Sequence, residues 1–174
     1  LLSLISLLIF AGFDTTRNQI GLGMQTFSQH PDQWELLGKT PDLARAAVEE
    51  VMRVNPTITW VSREASVDIE YKDLTIKQGT TIHLLTIPAG SDPRKFENIG
   101  FDIRADRAPH FGFGGGMHHC IGHYVARLDM KEAFKALSRR LPNMKIAAGA
   151  TYLPDSGNTG PTVLPITFSA SSTK

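Results

Sequence analysis

Phe113-Gly114-Gly115-Gly116-Met117-His118-His119-Cys120-Ile121-Gly122 holds the only cysteine of the 174-residue chain, in a glycine-rich loop just ahead of a helix-like stretch. A cysteine at a helix start feels the positive end of the helix macrodipole, which favours the thiolate and makes a good soft-metal ligand. Glycines on both sides let a large flat ligand approach the backbone closely, and they leave N–H groups free to hydrogen-bond the sulfur. The chemistry suggested is a thiolate ligand to haem iron. The blander reading stands beside it: a lone cysteine is usually a small buried hydrophobe.

Other uses of these residues are weaker. Met117 and His119 fall where Gly-x-Gly-x-x-Gly would need its third glycine, so a phosphate cradle is disfavoured. No Cys-x-x-Cys-His site for covalent haem is present. His110, His118, His119 and His123 crowd around Cys120, and a structural zinc module using His119, Cys120 and His123 stays as a minority reading without a second cysteine cluster.

Composition is that of a globular chain: 41% hydrophobic, 20% charged and a net charge of +1, which carries no nucleic-acid signature. A single cysteine excludes an internal disulfide framework and is compatible with a reducing compartment, hence a cytoplasmic location. Arg127, Lys131 and Lys135, four apart, share one helix face, either solvated or a docking patch for an acidic electron donor. Leu1 to Gly12 looks like the apolar core of a signal peptide, but it lacks an initiator methionine and a basic flank. It is also shorter than the roughly 20 residues a bilayer span needs. It reads as a buried helix that begins before the chain does, with no membrane span.

Asp14-Thr15 places an acid beside an alcohol in that apolar helix, where polar groups are costly unless used or paired. Helix neighbours point about 100° apart, so Thr15 could face a ligand while Asp14 reaches toward solvent; a cap role for Asp14 is the alternative. Pro31 and Pro41 mark helix starts, and Asp42 to Val54 forms an amphipathic helix closed by Asn55-Pro56. Its Glu50 and Arg53 share a face. Val67–Tyr71 and Thr80–Ile87, with a turn at Lys77-Gln78-Gly79, predict a small antiparallel sheet. After Gly122 a helix runs to Pro142 with a buried stripe at Ala126, Met130, Ala133, Leu137 and Leu141. The tail from Thr151 to Phe168 reads as turns and short edge strands.

Phe113, Gly114, Gly116, His118, Cys120 and Gly122 together match Phe-Gly-x-Gly-x-His-x-Cys-x-Gly, the loop of the cytochrome P450 family. Ala11-Gly12-Phe13-Asp14-Thr15 matches that family's Ala-Gly-x-Asp/Glu-Thr signature, and Glu50-x-x-Arg53 falls between the two in the family's order. The chain thus resembles the carboxy-terminal half of a bacterial-type soluble member over almost its whole length. The resemblance implies a mainly α fold with small antiparallel β-sheets (α+β), and one unit, 1–174, forming the haem-binding part of a larger monooxygenase domain. It implies haem b as cofactor, with Cys120 as axial thiolate, His118 and Arg63 on the propionates and Phe113 packed behind the cysteine. Asp14 and Thr15 would relay protons to dioxygen, and Gly12 would open the helix beside it. Glu50 and Arg53 would pair with a downstream arginine. The commonest position for that arginine holds Ala105, leaving Arg107, or else Arg104. Residues 57–61, including Trp60, and the turn at Pro161–Val163 would touch a small apolar organic substrate, and electrons would come from a ferredoxin-type donor. Without an amino-terminal half the chain is expected to bind haem weakly, turn over poorly and expose an apolar patch. A non-catalytic haem-binding module would need no Asp14–Thr15 pair.

Overall fold

Helix α1 (Leu2–Gln29) organises the structure, a computed structural model that describes residues 1–169. Its second half is packed, with Asn18, Gln19, Leu22, Gly23, Met24, Thr26 and Phe27 buried. Its first half is not. Residues 1–13 are all exposed, and Phe10 and Phe13 are 66% and 67% accessible. The expectation of a buried amino-terminal helix is therefore corrected for this stretch: it is helical and apolar, but none of the described residues covers it. The expected apolar patch is there instead.

Pro31 starts α2 (Pro31–Lys39), where its missing N–H costs nothing. Pro41 starts a single 3-10 turn, Pro41–Leu43, so the amphipathic helix α3 begins at Ala44 rather than Asp42 and runs to Val54. Ala44, Ala47, Val48, Val51 and Met52 form its apolar face, the spacing a core-facing helix requires. Asn55 caps it with a non-helical backbone, as expected before Pro56. The last long helix is α5 (His123–Arg140). Its buried stripe is Met130, Phe134 and Ser138, while Ala126, Ala133, Leu137 and Leu141 are only partly covered. Sequence reading followed a neighbouring stripe and missed Phe134.

Phe134 matters because the core closes around it. Phe27 lies 5.6 Å from its ring, 5.0 Å from Trp34 and 5.3 Å from Phe101, the last two packing from α2 and a loop. A Cβ at Gly23 would fall 2.2 Å from Phe134 Cζ, so only glycine lets α5 sit this close to α1. Trp34 finds a polar partner for its indole N–H in the Leu141 carbonyl, 2.9 Å away.

Among the described residues four two-stranded antiparallel sheets flank the helices. Strand β1 (Trp60–Glu64) pairs with β4 (Thr81–Leu85), and β2 (Ile69–Tyr71) pairs with β3 (Leu74–Ile76). Both expected strands form and are antiparallel, but not in one sheet: the partner of the Thr81–Leu85 strand is β1, that of Ile69–Tyr71 is β3, and residues 86–90 form a short helix, α4 (Thr86–Gly90). Two-residue β5 (Lys145–Ile146) and β8 (Ile166–Thr167), and β6 (Thr151–Tyr152) with β7 (Pro161–Val163), complete the tail. The fold is thus mainly α with small antiparallel sheets. No helix among the described residues is long and apolar enough to cross a membrane.

Candidate functional site

The cysteine loop is shaped by glycines used for their backbone. Gly114 and Gly116 have φ of +72° and +64°, the left-handed region that side chains disfavour. They fold the chain back so that the Cys120 N–H donates to the Phe113 carbonyl at 2.9 Å, and the His123 N–H caps the Cys120 carbonyl at 3.3 Å as α5 begins. The thiol is unpaired and part-exposed.

Cys120 lines a cleft of about 410 Å³ whose opposite wall is α1, contributing Ala11, Gly12, Thr15 and Thr16. Phe113, Gly114, His118 and Gly122 line the same cleft, as do Thr57, Ile58, Val61 and Arg63 from β1 and the segment before it. Sequence segments more than a hundred residues apart are thereby brought to one space. Trp60 and Pro161 are not on its walls: Trp60 packs edge-on to His83, ring centres 4.7 Å apart, and Pro161 lies against Gly21 of α1. His118 is exposed, and Arg63 donates only to the carbonyl of its neighbour Ser62, at 2.8 Å.

Asp14 and Thr15 point apart. The Thr15 hydroxyl donates to the Ala11 carbonyl at 2.5 Å, leaving its lone pairs available on the cleft side. The Asp14 carboxylate instead receives Arg17 at 2.8 Å, Asn18 at 3.2 Å and Asn158 at 3.0 Å. It lies mid-helix, which removes the cap reading. Asn158, from the tail, has no signal in local sequence.

Behind the loop sits a paired polar cluster, in which Arg107 Nε alone of the buried side-chain polar atoms among the described residues lacks a partner. Glu50 and Arg53, 2% and 1% accessible, form a two-pronged pair at 2.8 Å for each contact. Arg53 also donates to the carbonyls of Gly90, Ile99 and Gly100 at 2.7, 3.0 and 2.9 Å. Arg107 donates to Glu50 at 3.1 Å and to the Gly100 carbonyl at 2.7 Å, whereas Arg104 pairs with Asp102 on the surface. Burial alone would raise the Glu50 pKa, but the Arg53 hydrogen bonds, the Asp102 N–H and the arginine charges outweigh it and hold the carboxyl below its ordinary value.

Neighbouring Glu49 has its own partners. Arg127 grips it at 2.6 and 3.0 Å, and His110 Nε2 lies 3.0 Å away. The Gly112 N–H donates to His110 Nδ1 at 3.0 Å, so Nε2 carries the proton that Glu49 accepts. Burial pushes Glu49 up, and hydrogen bonds from His110 and Arg127 overcome this and hold it at about 2. The His123 pKa is lowered by burial, His119 and Arg127. Arg127 is therefore engaged, not one of three free cations on a solvated face, while Lys131 pairs with Glu132 at 3.0 Å. Among the described residues no three His, Cys, Asp or Glu side chains converge as ligands for a metal ion, so the zinc reading lacks a ligand set.

Comparison with known proteins points one way. A family model described as "Cytochrome P450" matches residues 1–141. Luteothin monooxygenase of Streptomyces thioluteus is 41% identical over 97% of this chain, and the biotin biosynthesis cytochrome P450 of Bacillus subtilis (strain 168) is 38% identical over 93%. The chain spans 42% of the length of each of these two curated relatives. The structure of the bacillaene polyketide synthase cytochrome P450 PksS of Bacillus subtilis 168 superposes with a TM-score of 0.91 at 34% identity, covering 96% of this chain and 44% of that one.

Proposed function

This chain belongs to the cytochrome P450 family, and from that premise we propose that it forms the haem-binding part, residues 1–174, of a larger haem-thiolate monooxygenase. The reaction inserts one atom of dioxygen into a small apolar organic substrate, the other leaving as water with two electrons and two protons. The observation that carries the reading is the single cleft that Cys120, Arg63 and His118 share with Gly12 and Thr15 of α1.

The family's cofactor is haem b, and the donor set fits it. A thiol without a protein partner, glycines that keep the loop backbone bare, and two side chains able to pair with carboxylates surround an otherwise largely apolar space. Cys120 would hold the iron as thiolate, Phe113 would back the cysteine loop, and Arg63 and His118 would hold the propionates, Arg63 with paired N–H donors. Haem bound there supplies the redox chemistry that activates dioxygen. Thr15, with free lone pairs, holds a proton or an ordered water at the cleft wall. Asp14, anchored by Arg17 and Asn158, stands between that wall and the tail as the carboxylate of the proton relay. Ala11, Ile58 and Val61 keep the cleft apolar, which suits an apolar substrate and excludes water. Glu50, Arg53 and Arg107 brace the backbone behind it.

A groove on the side of α3 and α5 bears Arg45 and Lys131 beside the paired Glu49, Arg107 and Arg127, and its net basic lining fits an acidic donor of the ferredoxin type. A free thiol as functional ligand suits the cytoplasm. Residues 1–13 lie bare along α1, so the chain by itself would hold haem weakly and turn over poorly.

The test is the difference spectrum of the reduced, haem-loaded protein with carbon monoxide. The expected result is a thiolate-type band that Cys120→Ser abolishes. An imidazole-type band in the unmodified protein, or one indifferent to Cys120→Ser, overturns the assignment.

A further inference from the structure

Side chains from two segments approach the Phe113 ring, and a third segment ties them together. Arg127 from α5 lays its guanidinium 4.3 Å from the ring centre. Its charge is fixed there by Glu49 of α3 through two hydrogen bonds at 2.6 and 3.0 Å, and by His123 Nδ1 at 2.6 Å. His110 binds the same carboxylate at 3.0 Å, and its own ring stands 6.1 Å from Phe113. Phe113 in turn presents the carbonyl that receives the Cys120 N–H at 2.9 Å. A planar cation stacked on an aromatic face, with its other edge engaged by a carboxylate, has few alternative orientations. The ring beneath it is correspondingly fixed.

We propose that Arg127, locked by Glu49, is a positioning residue for the cysteine ligand: it clamps Phe113, and through the Phe113 carbonyl sets the height and orientation of Cys120. This rests on the assignment of Cys120 as thiolate ligand. It gives Arg127 a role other than docking a partner or lying in solvent. Lysine at 127 would keep the charge and lose the planar stack and the two-pronged grip; methionine would lose all three.

Two measurements on Arg127→Lys and Arg127→Met test it. One is the band of the reduced carbon monoxide adduct of protein supplied with haem; the other is amide hydrogen exchange over residues 113–122 in the haem-free chain. The expected result for R127M is a shift of much of the adduct from the thiolate-type to the thiol-type band. Exchange across the loop should rise about tenfold, as loss of a part-buried cation–aromatic contact implies, with residues 130–140 unchanged and R127K intermediate. General destabilisation would instead raise exchange everywhere. Loop protection in R127M equal to the unmodified chain overturns the clamp, and so does a uniform rise along α5. Because exchange is read without haem, the outcome stands even on protein that takes up none. The underlying ligand assignment fails separately, through a thiolate-type band that survives Cys120→Ser.

Discussion

The two sides of the cysteine loop are built on opposite terms. Behind it, the two carboxylates are each held by two internal partners: Glu49 has Arg127 and His110, and Glu50 has Arg53 and Arg107. In front, facing the cleft, Arg63 reaches only its neighbour's carbonyl, His118 is exposed and the Cys120 thiol is unpaired. The difference separates groups that hold the protein together from groups held ready for something else. Side chains of one chemical type, arginines and histidines, occur on both sides, so partnership rather than residue identity assigns the role.

Substitutions behind the loop should therefore cost stability, and those in front should cost ligand uptake. The largest effect is expected from Arg53→Met, which takes from buried Glu50 its two-pronged partner and leaves it only Arg107 and the Asp102 N–H. Breaking a buried ion pair costs up to about 3–5 kcal/mol, to be read from urea unfolding, and a loss under about 1 kcal/mol would break the contrast. Acid comes next. Glu49 is held at about 2 against an ordinary value of 4.5, so its stabilising contribution is complete above pH 4.5 and drains away as pH falls toward 2. Allowing for its partial exposure, this amounts to about 1 kcal/mol, and Glu49→Gln should flatten that part of the stability curve against pH. The smallest effect on folding belongs to Arg63→Gln, within about 0.5 kcal/mol. Haem titration should nonetheless show uptake weakened by roughly tenfold through loss of a charge-assisted pair. Equal losses of stability and uptake at Arg63 would erase the distinction between the sides.

Much of this was legible in the chain itself because it rests on local pattern. The loop glycines, Cys120, the Glu50–Arg53 spacing, the helix start at Pro31 and the helix stop before Pro56 each act within a few residues. What could not be read needs the third dimension. Glu49 and Arg127 are 78 positions apart, and nothing near either residue announces the other. Asn158 reaches Asp14 across 144 positions. Residues 1–13 show a related limit: apolar pattern predicts a helix face that ought to be covered, and it says nothing about which segment supplies the cover. The strand pairing of β1 with β4 likewise went unread, because Trp60–Glu64 lacks the alternation that marks a strand.

Gly23 and Phe134 carry a last consequence. With no room for even a methyl group between helix and ring, neither position is free to drift alone. An enlargement at 23 becomes tolerable only where the aromatic has already given way to something smaller, and such a shrunken intermediate leaves a void at the centre of the core. Evolution or engineering that alters the crossing of these two helices must therefore pass through coordinated replacement of both residues, which makes the pair a ratchet on divergence.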